Sequence, residues 1–173
     1  MSKPIENQYT DKDIDTFMHE IIRQMIRDNW KPDYVVGLTR GGLQPALMIS
    51  QYLDVKMETL KVSLRDGGEC ETNCWMSEEA CGWQMDAPKN ILIVDDINDS
   101  GTTIAHLRTS LAEAGGDPGN VRFATLIDNS TSAERVDYCF RKIDRSVNKQ
   151  WFVFPWEQLS PVDKVIEDSA VVP

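Results

Sequence analysis

Apolar residues recur at every third or fourth position in three stretches of the chain, a spacing typical of amphipathic helices. The first stretch follows Thr10, which can cap a helix together with Asp13, and ends near residue 28. The second covers 43–53 and the third about 102–114. In the second, the side chains expected to face a sheet are Leu43, Ala46, Leu47, Ile49 and Ser50.

Short apolar segments separate these helices and predict strands at 34–38, 55–64, 90–94 and 121–127. Two shorter strands are expected at 136–140 and 151–154. The segment before residue 95 is uninterrupted by polar residues, as is typical of a central strand that is covered on both faces. Strands that alternate with helices predict an α/β fold, with a mostly parallel central sheet and flanking helices.

A length of 173 residues is consistent with a single domain over 1–173. Residues 65–88 show no sustained hydrophobic periodicity, and the segment is longer than a connecting loop without a function usually is. We therefore expect a mobile loop or small hairpin over a site there.

The net charge of −10 counts against nucleic acid as a partner, because a phosphate backbone would be repelled. No apolar stretch is long enough to span a membrane and no leader sequence is visible, so the expected location is the cytoplasm. The cysteines are expected to be reduced thiols. Their spacing contains no C-x-x-C pair and does not favour a zinc site: Cys70, Cys74, Cys81 and Cys139.

The segment ILIVDDINDSGTT, residues 91–103, places three carboxylates next to a Gly/Ser/Thr turn that opens a helix. Backbone N–H groups and the helix dipole at such a turn favour a phosphate, whereas carboxylates repel one. A sugar phosphate satisfies both, since Asp95 and Asp96 can bind sugar hydroxyls or a hydrated Mg²⁺ while the turn holds the phosphate. A helix cap would account for Asp99 or Ser100, but not for three carboxylates.

This segment resembles the phosphoribosyl-diphosphate (PRPP) signature of type I phosphoribosyltransferases: apolar residues, two acids, two variable positions, then Asp-Ser/Thr-Gly and Thr. VVGLTRGGLQPALMISQYL is similar to the family's first loop and helix, and WFVFPWE is similar to the C-terminal segment of the hypoxanthine/xanthine-guanine branch. The resemblance covers about 30–157. It implies a pentosyltransferase that joins PRPP and a purine base, with Mg²⁺ as cofactor, and a homo-oligomer (dimer or tetramer).

The resemblance also implies roles for individual residues. Asp95 and Asp96 would meet the ribose hydroxyls and the metal, with Asp96 nearer to Mg²⁺, and Asp99 would be the acid/base beside the purine N7. The pyrophosphate loop would be Thr39, Arg40 and Gly41, and the 5-phosphate would be bound by Ser100, Gly101, Thr102 and Thr103.

The base would lie in a C-terminal hood, residues 128–160, with Trp151 stacked on it and Phe152 beside it. The purine branch usually has a lysine where this chain has Asn129. An amide both donates and accepts hydrogen bonds, so Asn129 is consistent with a 6-oxo or a 6-amino purine. Two alternatives stay open: a non-catalytic PRPP sensor, against which the negative charge counts, and an enzyme for another base such as adenine or a pyrimidine.

Overall fold

The computed structural model describes residues 6–62, 88–115 and 118–158, and the expected loop at 65–88 lies, except for Pro88, outside them. So do Cys70, Cys74 and Cys81. The helices are α1 (Asp11–Arg27), α2 (Leu43–Leu53) and α3 (Thr102–Glu113). The strands are β1 (Glu6–Gln8), β2 (Tyr34–Thr39), β3 (Lys56–Lys61), β4 (Ile91–Asn98), β5 (Val121–Asn129), β6 (Tyr138–Ile143) and β7 (Trp151–Val153). Two 3₁₀ turns cover Pro118–Asn120 and Pro155–Glu157.

Within these residues the central sheet has the order β3-β2-β4-β5-β6, and every neighbouring pair is parallel. Alternate residues of each strand face opposite sides. Leu92 and Val94 join the core cluster under α1 and α2, whereas Ile91 and Ile93 join the cluster under α3. The sheet is therefore covered on both faces, and the predicted α/β fold is confirmed.

The helices begin and end close to the predicted residues. Thr10 caps α1, accepting from the backbone N–H of Asp13, whose carboxylate accepts in return from Thr10. One prediction for α2 is wrong: the side chain of Leu47 is 46% exposed and does not face the sheet. Ala46 and Ile49, which are also predicted to face the sheet, are fully buried.

A second, two-stranded parallel sheet joins β1 to β7. Glu6–Gln8 contain no apolar residue, so periodicity does not predict this strand. Next to it, Tyr9 packs against Phe17, Phe152 and Phe154. The start of the described chain is thus attached to the C-terminal segment.

The pairing of β4 with its two neighbours ends at different places. β4 pairs with β2 only as far as Gly37 and Val94, but it stays paired with β5 up to Asn98 and Asp128. The last residues of β4 therefore have a neighbouring strand on one side only. A cavity opens at this point, at the carboxyl ends of the strands, where ligands bind in open α/β sheets.

No helix in the described part of the chain combines the length and the apolar character needed to cross a membrane.

Candidate active site

The cavity has a volume of about 800 Å³, which is within the usual range for small-molecule sites. Its lining comes from the end of β4, the first turn of α3, the middle of β5, the loop after β6, and β7. Residues from the predicted site that line it are Asp95, Asp96, Asp99, Ser100, Gly101, Thr102, Thr103, Trp151 and Phe152.

Asp95 and Asp96 are half-buried at the end of β4. The Asp95 carboxylate accepts a hydrogen bond from the backbone N–H of Asp96 (2.9 Å), and the Asp96 carboxylate accepts one from Ile97 (2.7 Å). Burial first, and then the charge of Asp96, raise the pKa of Asp95 well above its ordinary value. Burial also raises the pKa of Asp96, and the negative charge of Glu157 acts in the same direction.

The predicted pyrophosphate loop lies beside this acid pair but does not line the cavity. A Cβ atom on Gly41 would lie 2.1 Å from Oδ2 of Asp96, so only glycine allows the loop to approach the carboxylate this closely. The side chain of Arg40 is exposed and forms no ion pair with any described residue. Its peptide bond with Thr39 is cis.

The turn before α3 has the open N-terminus that the sequence predicts. Gly101 is the N-cap residue and has no side-chain cap, so the first-turn N–H groups after Thr102 have no side-chain acceptor among the described residues and can bind an anion. Gly101 has φ +86°, and a Cβ there would lie 2.6 Å from the backbone nitrogen of Glu134. Ser100 Oγ accepts weakly from Thr102 N–H (3.3 Å), and the capping alternative for Asp99 is wrong.

A network of buried polar side chains and backbone groups holds the turn before α3 in place. Nδ2 of Asn98 donates to Oδ1 of Asp128 (2.8 Å) and to the carbonyl of Glu134 (2.9 Å). Oγ of Ser132 donates to Oδ1 of Asn98 (3.1 Å), and Ala133 N–H donates to the carbonyl of Ser100 (3.1 Å). The turn before α3 is thereby held to the loop that follows β5.

Asn129 does not line the cavity, and its side chain is almost fully buried. Nδ2 donates to the carbonyl of Asp99 (2.8 Å), while Oδ1 accepts from the backbone and hydroxyl of Thr131 and from the backbone of Arg145. The prediction that this amide reads the base is therefore not supported by its geometry. Asn129 instead joins the ends of β4 and β5 to the loop after β6.

Trp151 and Phe152, the residues expected to meet the base, both line the cavity and differ in exposure. The Trp151 side chain is 59% exposed, so one ring face is free to stack on a ligand. Phe152 is buried, and its ring lies parallel to that of Tyr9 with the centroids 6.1 Å apart. Phe152 therefore packs against the core at this side of the cavity.

Four polar residues of the cavity lining are not among the predicted site residues: Asn98, Thr125, Arg145 and Glu157. Thr125 lies opposite Asp95 on β5, and its buried hydroxyl has no partner among the described residues. Arg145 pairs with Asp99, with 3.1 Å between Nε and Oδ1. The only signal for Thr125 was a polar residue inside an apolar strand, and Arg145 stands in a polar loop with no motif.

Comparison with known proteins points to one family. The model described as "Phosphoribosyl transferase domain" matches residues 6–159. Xanthine-guanine phosphoribosyltransferases from Cereibacter sphaeroides and a Ruegeria species are 31% and 32% identical to this chain over 131 and 130 residues. The alignments cover 75% and 71% of this chain, and 72% and 67% of those proteins. The crystal structure of a purine phosphoribosyltransferase from Pyrococcus horikoshii has the same fold, with a TM-score of 0.67, 21% identity and coverage of 91% of this chain and 97% of that one.

Asp95→Asn is expected to stabilise the protein at neutral pH in metal-free buffer. The folded state holds a proton on Asp95 more tightly than the unfolded chain, so ionising this carboxyl destabilises the fold. We expect Tm to rise by roughly 2 to 4 °C at pH 7.5, the effect of about 1 kcal/mol in a domain of this size. The gain should shrink as the pH falls toward the ordinary aspartate pKa of about 4.

Calorimetric scans between pH 4 and 8 measure this effect, and Asp15→Asn, at an exposed carboxylate of α1, is the control. A Tm that is unchanged or lower at neutral pH would show that the buried charge carries no cost.

Asn129→Ala is expected to lower the free energy of unfolding by about 1 to 3 kcal/mol, because it leaves the half-buried backbone N–H groups of Thr131 and Arg145 without their acceptor. Denaturant titration gives the value. Ser130→Ala, at the exposed neighbouring position, should stay within about 0.5 kcal/mol of the parent. If Asn129→Ala left stability unchanged but altered the preference among bases, Asn129 would contact the base, and its structural role would be contradicted.

Proposed function

The chain belongs to the phosphoribosyltransferase family, and we propose that it transfers the 5-phosphoribosyl group of PRPP to a 6-oxopurine base: hypoxanthine, guanine or xanthine. The products are the nucleoside monophosphate and pyrophosphate. One observation carries the proposal. A single cavity joins a carboxylate pair, an uncapped helix N-terminus and an exposed tryptophan. These are the partners that sugar hydroxyls, a 5-phosphate and a flat heterocycle require.

PRPP would lie along the end of β4. Its 5-phosphate would accept hydrogen bonds from the first turn of α3, Ser100 to Thr103, where the helix dipole also favours an anion. Its ribose hydroxyls would donate to Asp95 and Asp96. The unpartnered Thr125 hydroxyl, opposite Asp95, supports this arrangement, because a buried hydroxyl without a partner is costly unless a ligand supplies one.

The donor set fits Mg²⁺. Asp95 and Asp96 provide two neighbouring carboxylates, and no described cluster contains the three or more His, Cys, Asp or Glu side chains of an all-protein metal site. Magnesium typically takes one or two carboxylates and completes its shell with water and substrate phosphates. Bound there, it would supply positive charge to the leaving pyrophosphate. Gly41 lies against Asp96, so the loop of Thr39, Arg40 and Gly41 would hold the pyrophosphate, which the Arg40 guanidinium can bind in a bidentate manner.

The chain's own contribution to the reaction is positioning and electrostatics. The sugar C1 becomes positive as its bond to pyrophosphate breaks, and the base nitrogen attacks from the side of Trp151. Asp99 would hold or accept the purine proton at N7. One of its oxygens pairs with Arg145, which orients the carboxylate and leaves the second oxygen for the base. Residues 128–158 would act as the base-binding hood.

A panel of free bases tests the function directly. Hypoxanthine, guanine, xanthine, adenine and uracil are each incubated with PRPP and Mg²⁺, and pyrophosphate release is measured. We expect release with the three oxopurines. PRPP binding without release by any base would indicate a sensor, and release with adenine or uracil alone would contradict the oxopurine assignment.

Asp99→Asn is expected to lower turnover by roughly 10²- to 10⁴-fold, the usual cost of losing an acid/base group. Asparagine keeps an oxygen for Arg145, so the KM for PRPP should change little. Steady-state kinetics measure both quantities, with Asp15→Asn as the control. Unchanged turnover would remove Asp99 from the chemistry.

A further inference from the structure

Arg145 is held between two residues assigned to the base site. Its Nε donates to Oδ1 of Asp99 at 3.1 Å. Its guanidinium carbon lies 5.1 Å from the centroid of the Phe152 ring. The side chain also lines the cavity. The exposed ring of Trp151, which is expected to stack on the base, lines the same cavity. The guanidinium is therefore in the part of the cavity that the acceptor base would enter.

The position of this side chain is fixed from several directions. Nη1 donates to the carbonyl of Gln150 at 2.5 Å, and the backbone N–H of Arg145 donates to Asn129 Oδ1 at 3.1 Å. The surrounding loop is a tight turn in which Asp144 accepts hydrogen bonds from Ser146 and Asn148. With its side chain only 22% exposed, Arg145 has little freedom to move, and its donors are pre-organised.

Part of the guanidinium is still available for a ligand. Arginine has five N–H donors and no acceptor. Asp99 and Gln150 each take one, and Nη2 makes no hydrogen bond within the described residues. A partner placed there must therefore present an acceptor, such as a carbonyl or enolate oxygen. An exocyclic amino group, which donates, would meet a second donor and a positive charge.

We propose that Arg145 is the specificity-determining residue for the base, selecting purines with an oxo group over 6-aminopurines. The inference rests on the proposed function and deepens it. Asn129 stands where the purine branch usually has a lysine, but its amide is buried and its oxygen already accepts hydrogen bonds from Thr131 and Arg145. Arg145, in the loop after β6, would contact the oxo group of the base. Asn129 would act indirectly, because its side chain accepts a hydrogen bond from the Arg145 backbone.

The experiment compares Arg145→Gln with the parent protein, using kcat/KM for hypoxanthine, xanthine and adenine at saturating PRPP. Glutamine removes the charge and replaces a group that only donates with one that donates and accepts. We expect a loss of roughly 10- to 100-fold for the oxopurines, with adenine unaffected or improved, so the oxo-to-amino ratio falls by at least tenfold. The KM for PRPP should stay within about threefold.

Two further variants complete the design. Lys149→Gln removes one positive charge from an exposed position of the same loop, outside the cavity lining, and should leave the ratio unchanged. Arg145→Lys keeps the charge but not the planar fork, and should give an intermediate ratio. It also serves as the test protein if thermal scans show that Arg145→Gln is unfolded.

The outcomes separate the two proposals. If the parent protein uses no base, the proposed function fails. If the parent uses oxopurines and the Arg145 variants keep its oxo-to-amino ratio, only the role of Arg145 is overturned. An equal gain for every base would also overturn it, because the guanidinium would then occupy the place of the base.

Discussion

The site depends on one constraint in the central sheet: β4 continues along β5 for four residues after it has left β2. This leaves the backbone edge of Asp95 and Asp96 unpaired on the β2 side, where the loop after β2 approaches them. Gly41 contacts the carboxylate of Asp96 only because it has no side chain. The same extension carries Asn98 into the interior, where its amide joins the turn before α3 to the loop after β5.

The buried carboxylates of Asp95 and Asp96 lower the stability of the fold when they are ionised, and we attribute their presence to ligand binding. Two adjacent carboxylates with raised pKa values, close to a third at Glu157, repel one another and are poorly solvated. Sites of this kind are typical of functional positions, where residues are selected for binding and not for stability. Two positive elements lie near the pair: the N-terminus of α3 follows it in the chain, and Arg145 lines the same cavity.

Much of the fold could be predicted from the sequence, because periodicity reports which face of a helix or strand is buried. The three helices, the five strands of the central sheet and the lining residues from β4 and α3 follow from local pattern and motif. The strand Glu6–Gln8 could not, because it is polar and pairs with residues about 145 positions away. The roles of Asn129 and Arg145 depend on contacts between loops after different strands, which no local pattern encodes. The motif places Asn129 where the family has a base-contacting lysine, whereas its side chain hydrogen-bonds to the loops that carry Asp99 and Arg145.

The central claim is that one cavity binds both ends of PRPP, with the acid pair at the ribose and the turn before α3 at the 5-phosphate. Isothermal titration of PRPP in the presence of Mg²⁺, with the parent protein and with an Asp95→Asn/Asp96→Asn variant, tests it most directly. Asparagine keeps the shape of both side chains, so the fold and the phosphate turn are preserved. We expect the parent to bind PRPP more tightly with Mg²⁺ than in chelator, and the double variant to lose this magnesium dependence while still binding weakly. Equal affinity and equal magnesium dependence in the two proteins would contradict it.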